Sequence, residues 1–223
     1  MCSSDLNSLK RLELFTQLGR KVDIMGKQII ISIGREFGSG GHEIAQRLAE
    51  HYNIPLYDKE IFQHVEEKSS ISAEVAEHFD EKPVYPIFYP YAIDGNYYPL
   101  EQQIANHIFD FIRTKGEKEK ESFVVVGRCA EYILKDNDAL ISVFILGDKD
   151  AKIQRVMEKY DLDQKAAYNR MKKEDKTRKT YHNFYADGKW GDSRSYDICI
   201  NSSTLGIDKT VNALITYIDE AMA

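Results

Sequence analysis

The sequence predicts an α/β fold, a parallel sheet flanked by helices, with a helical insertion and an arginine-bearing lid. Three observations predict it. Short runs rich in β-branched residues alternate with stretches of helical period, as parallel βαβ units require. The first of those runs ends in a glycine cluster that opens a helix, within "IIISIGREFGSGGHEIAQRLAEHYNIPLYDKEI", residues 29–61. Residues 58–118 then break the alternation without adding a strand.

The elements follow in order. Strands are expected at 28–33, 54–57, 122–126, 139–146 and 196–200, where apolar runs are short and bounded by turn residues. Helices are expected at 41–52, 100–115, 128–135, 148–160, 163–179 and 208–222. Within the 58–118 insertion, "KPVYPIFYPYAIDGNYYP" holds four of the chain's five prolines. Proline fixes φ and removes a backbone donor, so 83–99 reads as an ordered loop or cap that covers the core. The stretch "TYHNFYADGKWGDSRS", residues 180–195, carries the single tryptophan and reads as a flap, so the lid spans about 163–194.

Length and composition bound the rest. A chain of 223 residues fits one large domain, here 27–223. Residues 1–26 precede it as a helical extension, with Leu9, Leu12, Phe15 and Leu18 at helical spacing and without the apolar core of a secretion leader. No apolar stretch approaches the roughly 18 residues that cross a bilayer, so no membrane partner is expected. Cys2, Cys129 and Cys199 lie far apart, which fits a reducing cytoplasm and no disulfide scaffold. The six histidines show no metal-ligand spacing, and a net charge of −6 argues against a nucleic-acid partner. "RMKKEDKTRK", residues 170–179, runs against that average with six basic residues, either a solvated helix face or a charge clamp.

Gly38, Ser39, Gly40, Gly41 and His42 lie between a strand and a helix. Glycines there let backbone N–H groups approach an anion, and the helix terminus adds positive potential. The dinucleotide pattern G-x-G-x-x-G begins at Gly38 and Asp58 sits near the place of its ribose acid, but the third glycine position is Glu43. The pattern G-x-x-x-x-G-K-[ST] lacks its lysine, which is Gly41.

Together "SIGREFGSGGHEIAQRLAEHYNIPLYDKEI", "VVVGRCAEYIL" and "RVMEKYDLDQKAAYNRMKKEDKTRKTYHNFYADGKWGDSRSYDICINSS" resemble the cytidylate kinase-like family, a divergent branch of the P-loop nucleoside monophosphate kinases. The resemblance implies a P-loop NTPase-like sheet, and transfer of the γ-phosphoryl of ATP, with Mg2+, to CMP, dCMP or a related small acceptor. Residues 38–42 would hold the ATP phosphates. Asp58 and Arg128 of "GRC" would hold the acceptor, and Arg170, Asp175 and Arg178 would form the lid clamp over the transferring group. Arg35 is the nearest candidate to replace the absent ammonium, and Glu36 or Glu43 would place the metal through water. Two other readings stay open: a nucleotide-binding regulator without catalysis, suggested by Gly41 and Glu43, and an NAD-linked oxidoreductase, suggested by Gly38, Gly40 and Asp58. Asp58 could also cap the next helix, and Arg155 reads as an exposed helix residue.

Overall fold

The computed structural model describes residues 27–84 and 99–223. The expected helical extension at 1–26 and residues 85–98 of the tyrosine- and proline-rich loop lie outside the described residues.

All five expected strands form: β1 (Ile30–Arg35), β2 (Leu56–Tyr57), β3 (Phe123–Val126), β4 (Leu140–Leu146) and β5 (Ile198–Asn201). They make one parallel sheet in the order β2-β3-β1-β4-β5. A dinucleotide-binding sheet places its second strand directly beside the first. Here β3 stands between them, and the oxidoreductase reading loses its structural basis.

β1 lies at the centre, with Ile31 opposite both Val124 and Ile141. Both of its faces are covered, which is why it reads as a continuous apolar run rather than an alternating one. Ile31 and Ile33 face helices α1 (Gly41–Tyr52) and α8 (Ser202–Met222), packing with Ile44, Leu48, Leu214 and Ile218. Ile30 faces the other way, toward the insertion helices α2 (Ile61–Lys68), α3 (Ala73–His78) and α4 (Leu100–Arg113). The insertion adds no strand among its described residues, as its sequence implies.

Three boundaries differ from expectation, each for a local reason. Helix α5 (Ala130–Ile133) is only one turn, because Gly127, Arg128 and Cys129 all take left-handed φ and hold the preceding segment out of a helix. Helix α6 (Lys149–Tyr160) matches its expected span, but α7 (Gln164–Tyr185) runs six residues past Lys179, anchored by the buried Tyr181 and His182. Helix α8 begins at Ser202 and carries a break at Gly206, so the expected start at 208 marks its second segment.

The sheet's parallel order matters for function because every strand points its C-terminal end at one edge. That edge holds Arg35, the glycine loop, Asp58 and Arg128. Leu48 is fully buried between α1 and the sheet. Truncating it to alanine is expected to cost about 2–5 kcal/mol, read as a lowered denaturant midpoint at unchanged slope.

Candidate active site

Residues 36–40 carry the chain from β1 into α1, with Gly38 and Gly40 at left-handed φ of 85° and 81°. Gly40 is the N-cap of α1, and no side chain caps the helix. The first amides of α1 therefore have neither an intrahelical acceptor nor a capping oxygen, a ready anion site. They border a cavity of about 630 Å³ lined by Arg35, Glu36, Gly38, Gly40, His42 and Arg178, among others.

Position 41 explains its own glycine. A Cβ there would stand 2.5 Å from the Cβ of Arg35, so a side chain of any kind collides with the end of β1. The kinase lysine is thus excluded by packing at this position.

Arg35 does not replace it by folding over the loop. Its guanidinium makes two bonds to Glu81, at 2.9 and 2.8 Å. Gly127 makes room for that pair, since a Cβ at 127 would overlap both the Arg35 head group and the Glu81 carboxylate. Arg128 is 1% exposed and equally occupied: Nε and one terminal nitrogen bond Asp80 at 3.1 and 2.9 Å. The same terminal nitrogen reaches Asp58 at 3.2 Å, and the other donates to the Val126 carbonyl. Arg178 adds a third cation, with Nε 3.7 Å from Glu81.

Charges this close shift one another. Burial alone would raise Glu81, but Arg35, Arg178 and Arg128 outweigh it and hold the carboxyl at about 2. Asp80 goes the other way, raised by burial in spite of Arg128. Arg178 falls to about 10, first through burial and then through the charge of Arg35.

The lid helix α7 is fastened to the loop. Asp175 accepts a 2.6 Å bond from the Phe37 N–H, and its other oxygen lies 3.5 Å from Lys152 Nζ. Burial raises the Asp175 carboxyl. Arg170 and Arg178 both lie over the Phe37 ring, at 5.8 and 5.4 Å, and Arg170 also stacks on Tyr160 at 3.6 Å. Lys152 is buried and bonds Glu36 at 2.9 Å, so Glu36 pairs with this lysine rather than with Arg35.

The cytidylate kinase-like family model matches residues 30–204. The chain belongs to this family. No curated protein matches it. A protein described as uncharacterized, from Eubacterium ventriosum, is 52% identical with a TM-score of 0.68, over 86% of this chain and 99% of that one. A shikimate kinase from Bacteroides thetaiotaomicron shares the fold at 11% identity, with a TM-score of 0.51 over 86% and 98% of the two chains.

Within this cytidylate kinase-like chain, the expected site residues gather at one sheet edge but divide into three sets. Gly38, Ser39, Gly40, Gly41 and His42 form the loop. Arg170, Asp175 and Arg178 lie above it on α7. Asp58 and Arg128 stand beside it, with His42 Nδ1 3.3 Å from Asp58. Asp58 does not cap α2, whose N-cap is Glu60. Sequence reasoning missed three residues, Asp80, Glu81 and Lys152, and read Arg155 as an exposed helix residue, which its 41% exposed side chain bears out. Arg155 reaches back from α6, its guanidinium carbon 3.5 Å from where a Cβ on Gly40 would be, with Glu43 3.3 Å away. Lys152 and Arg155 are three apart, so their shared helix face was a usable signal. Asp80 and Glu81 sit in an aperiodic charged turn before the prolines and left none.

Two predictions follow from the pairing. Because Glu81 titrates below its usual range, its contribution is present above about pH 4.5 and is lost as pH falls toward 2. The stability gap between wild type and Glu81→Gln is expected to shrink by roughly 3 kcal/mol over that window, measured by denaturant titration at each pH. Gly41→Lys, which restores the usual kinase residue, is expected to destabilise by about 1–3 kcal/mol and to gain no ATP affinity by calorimetry.

Proposed function

We propose that this protein is an ATP-dependent phosphotransferase, moving the γ-phosphoryl group to a small acceptor, with CMP and dCMP the acceptors its family resemblance names. One observation carries the reading: the uncapped start of α1 opens into a nucleotide-sized cavity that Arg178 of α7 also lines. Phosphoryl transfer asks little covalent chemistry of a protein and much positioning and positive charge.

In this reading the amides at 41–43 hold donor phosphates, and Arg155 stands where a cation can meet the same nucleotide. Arg170 and Arg178 descend from α7 to offset charge that develops on the transferring group, while Asp175 ties the lid to the Phe37 amide. Arg35 and Arg128 hold the C-terminal ends of β1 and β3 in register with Glu81, Asp80 and Asp58. Magnesium, when bound, would neutralise phosphate charge. Glu36 and Glu43 are the loop carboxylates that would hold it through water. Among the described residues no group of three or more ligating side chains is arranged for a metal ion. Magnesium commonly takes one or two carboxylates and completes its shell with phosphates and water. Among the described residues no helix is long and apolar enough to cross a membrane; the cysteine usage supports a cytoplasmic setting.

A second reading, a nucleotide-binding regulator without turnover, draws on Gly41 and on the carboxylates that occupy Arg35 and Arg128. Calorimetry with Mg–ATP is expected to show binding, with adenosine at least about 100-fold weaker, since two charge-assisted bonds to amides contribute that much. An absence of heat with Mg–ATP overturns both readings. ADP release across CMP, dCMP, UMP and small alcohols separates them, because the regulator would release none.

A further inference from the structure

We infer that the acceptor of this phosphotransfer presents a hydroxyl and carries no phosphate group of its own, and that Asp58 receives the hydroxyl proton. The inference rests on the phosphotransfer reading and takes a related small acceptor in place of the CMP and dCMP that the family resemblance names.

The argument is a charge balance. A phosphate monoester brings about two negative charges and needs unspent cations to meet them. Where β1 and β3 end stand three guanidinium groups, those of Arg35, Arg128 and Arg178, while Arg155 at Gly40 pairs with Glu43. Facing them are three carboxylates, those of Asp58, Asp80 and Glu81. The set sums to zero. Arg128, the residue whose counterpart would grip a monophosphate, has all three guanidinium nitrogens engaged inside the protein.

A second cavity, of about 770 Å³, shares His42, Asp58 and Lys59 with the first, so Asp58 lies where the two meet. Its other polar walls are Gln46, Glu50, Asn53 and Glu60. Lys59 is bound to Glu77. Such a wall repels a dianion, whereas carboxylates and side-chain amides accept hydrogen bonds from hydroxyl groups.

Asp58 suits the proton's destination. One of its oxygens is held by Arg128, and the other lies 3.3 Å from His42 at the cavity border, with the side chain 24% exposed. In the transfer, the acceptor oxygen forms a bond to the γ-phosphorus as the bond from that phosphorus to the β,γ-bridging oxygen breaks. ADP leaves with the electron pair, and the hydroxyl proton passes to the Asp58 oxygen that Arg128 does not hold. Arg128 acts through Asp58 as a positioning residue.

The test pairs each phosphorylated compound with its dephosphorylated form on the full chain, in the presence of a non-hydrolysable ATP analogue and magnesium. CMP with cytidine, and ribose 5-phosphate with ribose, remove any dependence on the base. Affinities within about threefold in each pair, or no binding by either member, are expected. A tenfold or greater preference for a phosphorylated member overturns the inference. Asp80→Asn, or Glu81→Gln if the first does not fold, leaves the cluster one positive charge in surplus. Either variant should gain at least tenfold for the phosphorylated members, and no gain in a folded variant overturns the charge argument. A parallel titration with Mg–ATP isolates the parent reading, whose failure shows there and not in the pairs.

Discussion

Where β1 and β3 end, three guanidinium groups and three carboxylates share one largely buried volume, and the rest of the site is arranged around them. Burying such groups costs several kcal/mol per ion, and their attraction returns it only when every donor and acceptor is matched. Here Arg128, Asp80 and Glu81 are matched. Asp80 takes two bonds from Arg128, and Glu81 takes two from Arg35 and a third from the Arg128 amide. Such a cluster contributes little net stability, yet removing one member strands its partner and commonly costs 3–5 kcal/mol. Its effect is to fix geometry: it ties the strand ends to the turn at 80–81 from the insertion and, through Arg178, to the lid helix.

The glycine at position 41 answers the path of the backbone at the end of β1. That path fixes the Arg35 Cβ against the first turn of α1, whichever way the guanidinium turns. A loop lysine and this arrangement are sterically incompatible. Positive charge at the loop comes instead from α6 and α7, where Arg155 borders Gly40 and Arg178 lines the same cavity. The bond from the Phe37 amide to Asp175 keeps the lid in contact with the loop, so the cations on α7 and the amides of α1 belong to one assembly.

Much of this was legible in the chain. Period and β-branched runs located all five strands, because strands buried on both faces leave an unbroken apolar signature. The glycine loop and Gly41–Tyr52 could be read because glycines and an amphipathic stripe coincide there. What could not be read were pairings between distant segments. Nothing near residue 81 says that its carboxylate meets residue 35, and nothing near 128 says that its arginine is saturated. The short α5 was missed for a different reason: three successive left-handed residues, two of them not glycine, run against local preference and are set by the buried partners of Arg128.

The central position of β1 also bears on how the chain is made. Its partners on either side, β3 and β4, are encoded far downstream, the last of them ending about 110 residues later. At ribosomal speeds of about 5–20 residues per second, "IIISI" waits roughly 5–20 s as an unpaired apolar segment before a neighbour exists. Helix α1 is complete much sooner and covers one side of it through Ile44 and Leu48. The nascent protein therefore depends on that early helix, or on a chaperone, to shield its first strand until the sheet can close.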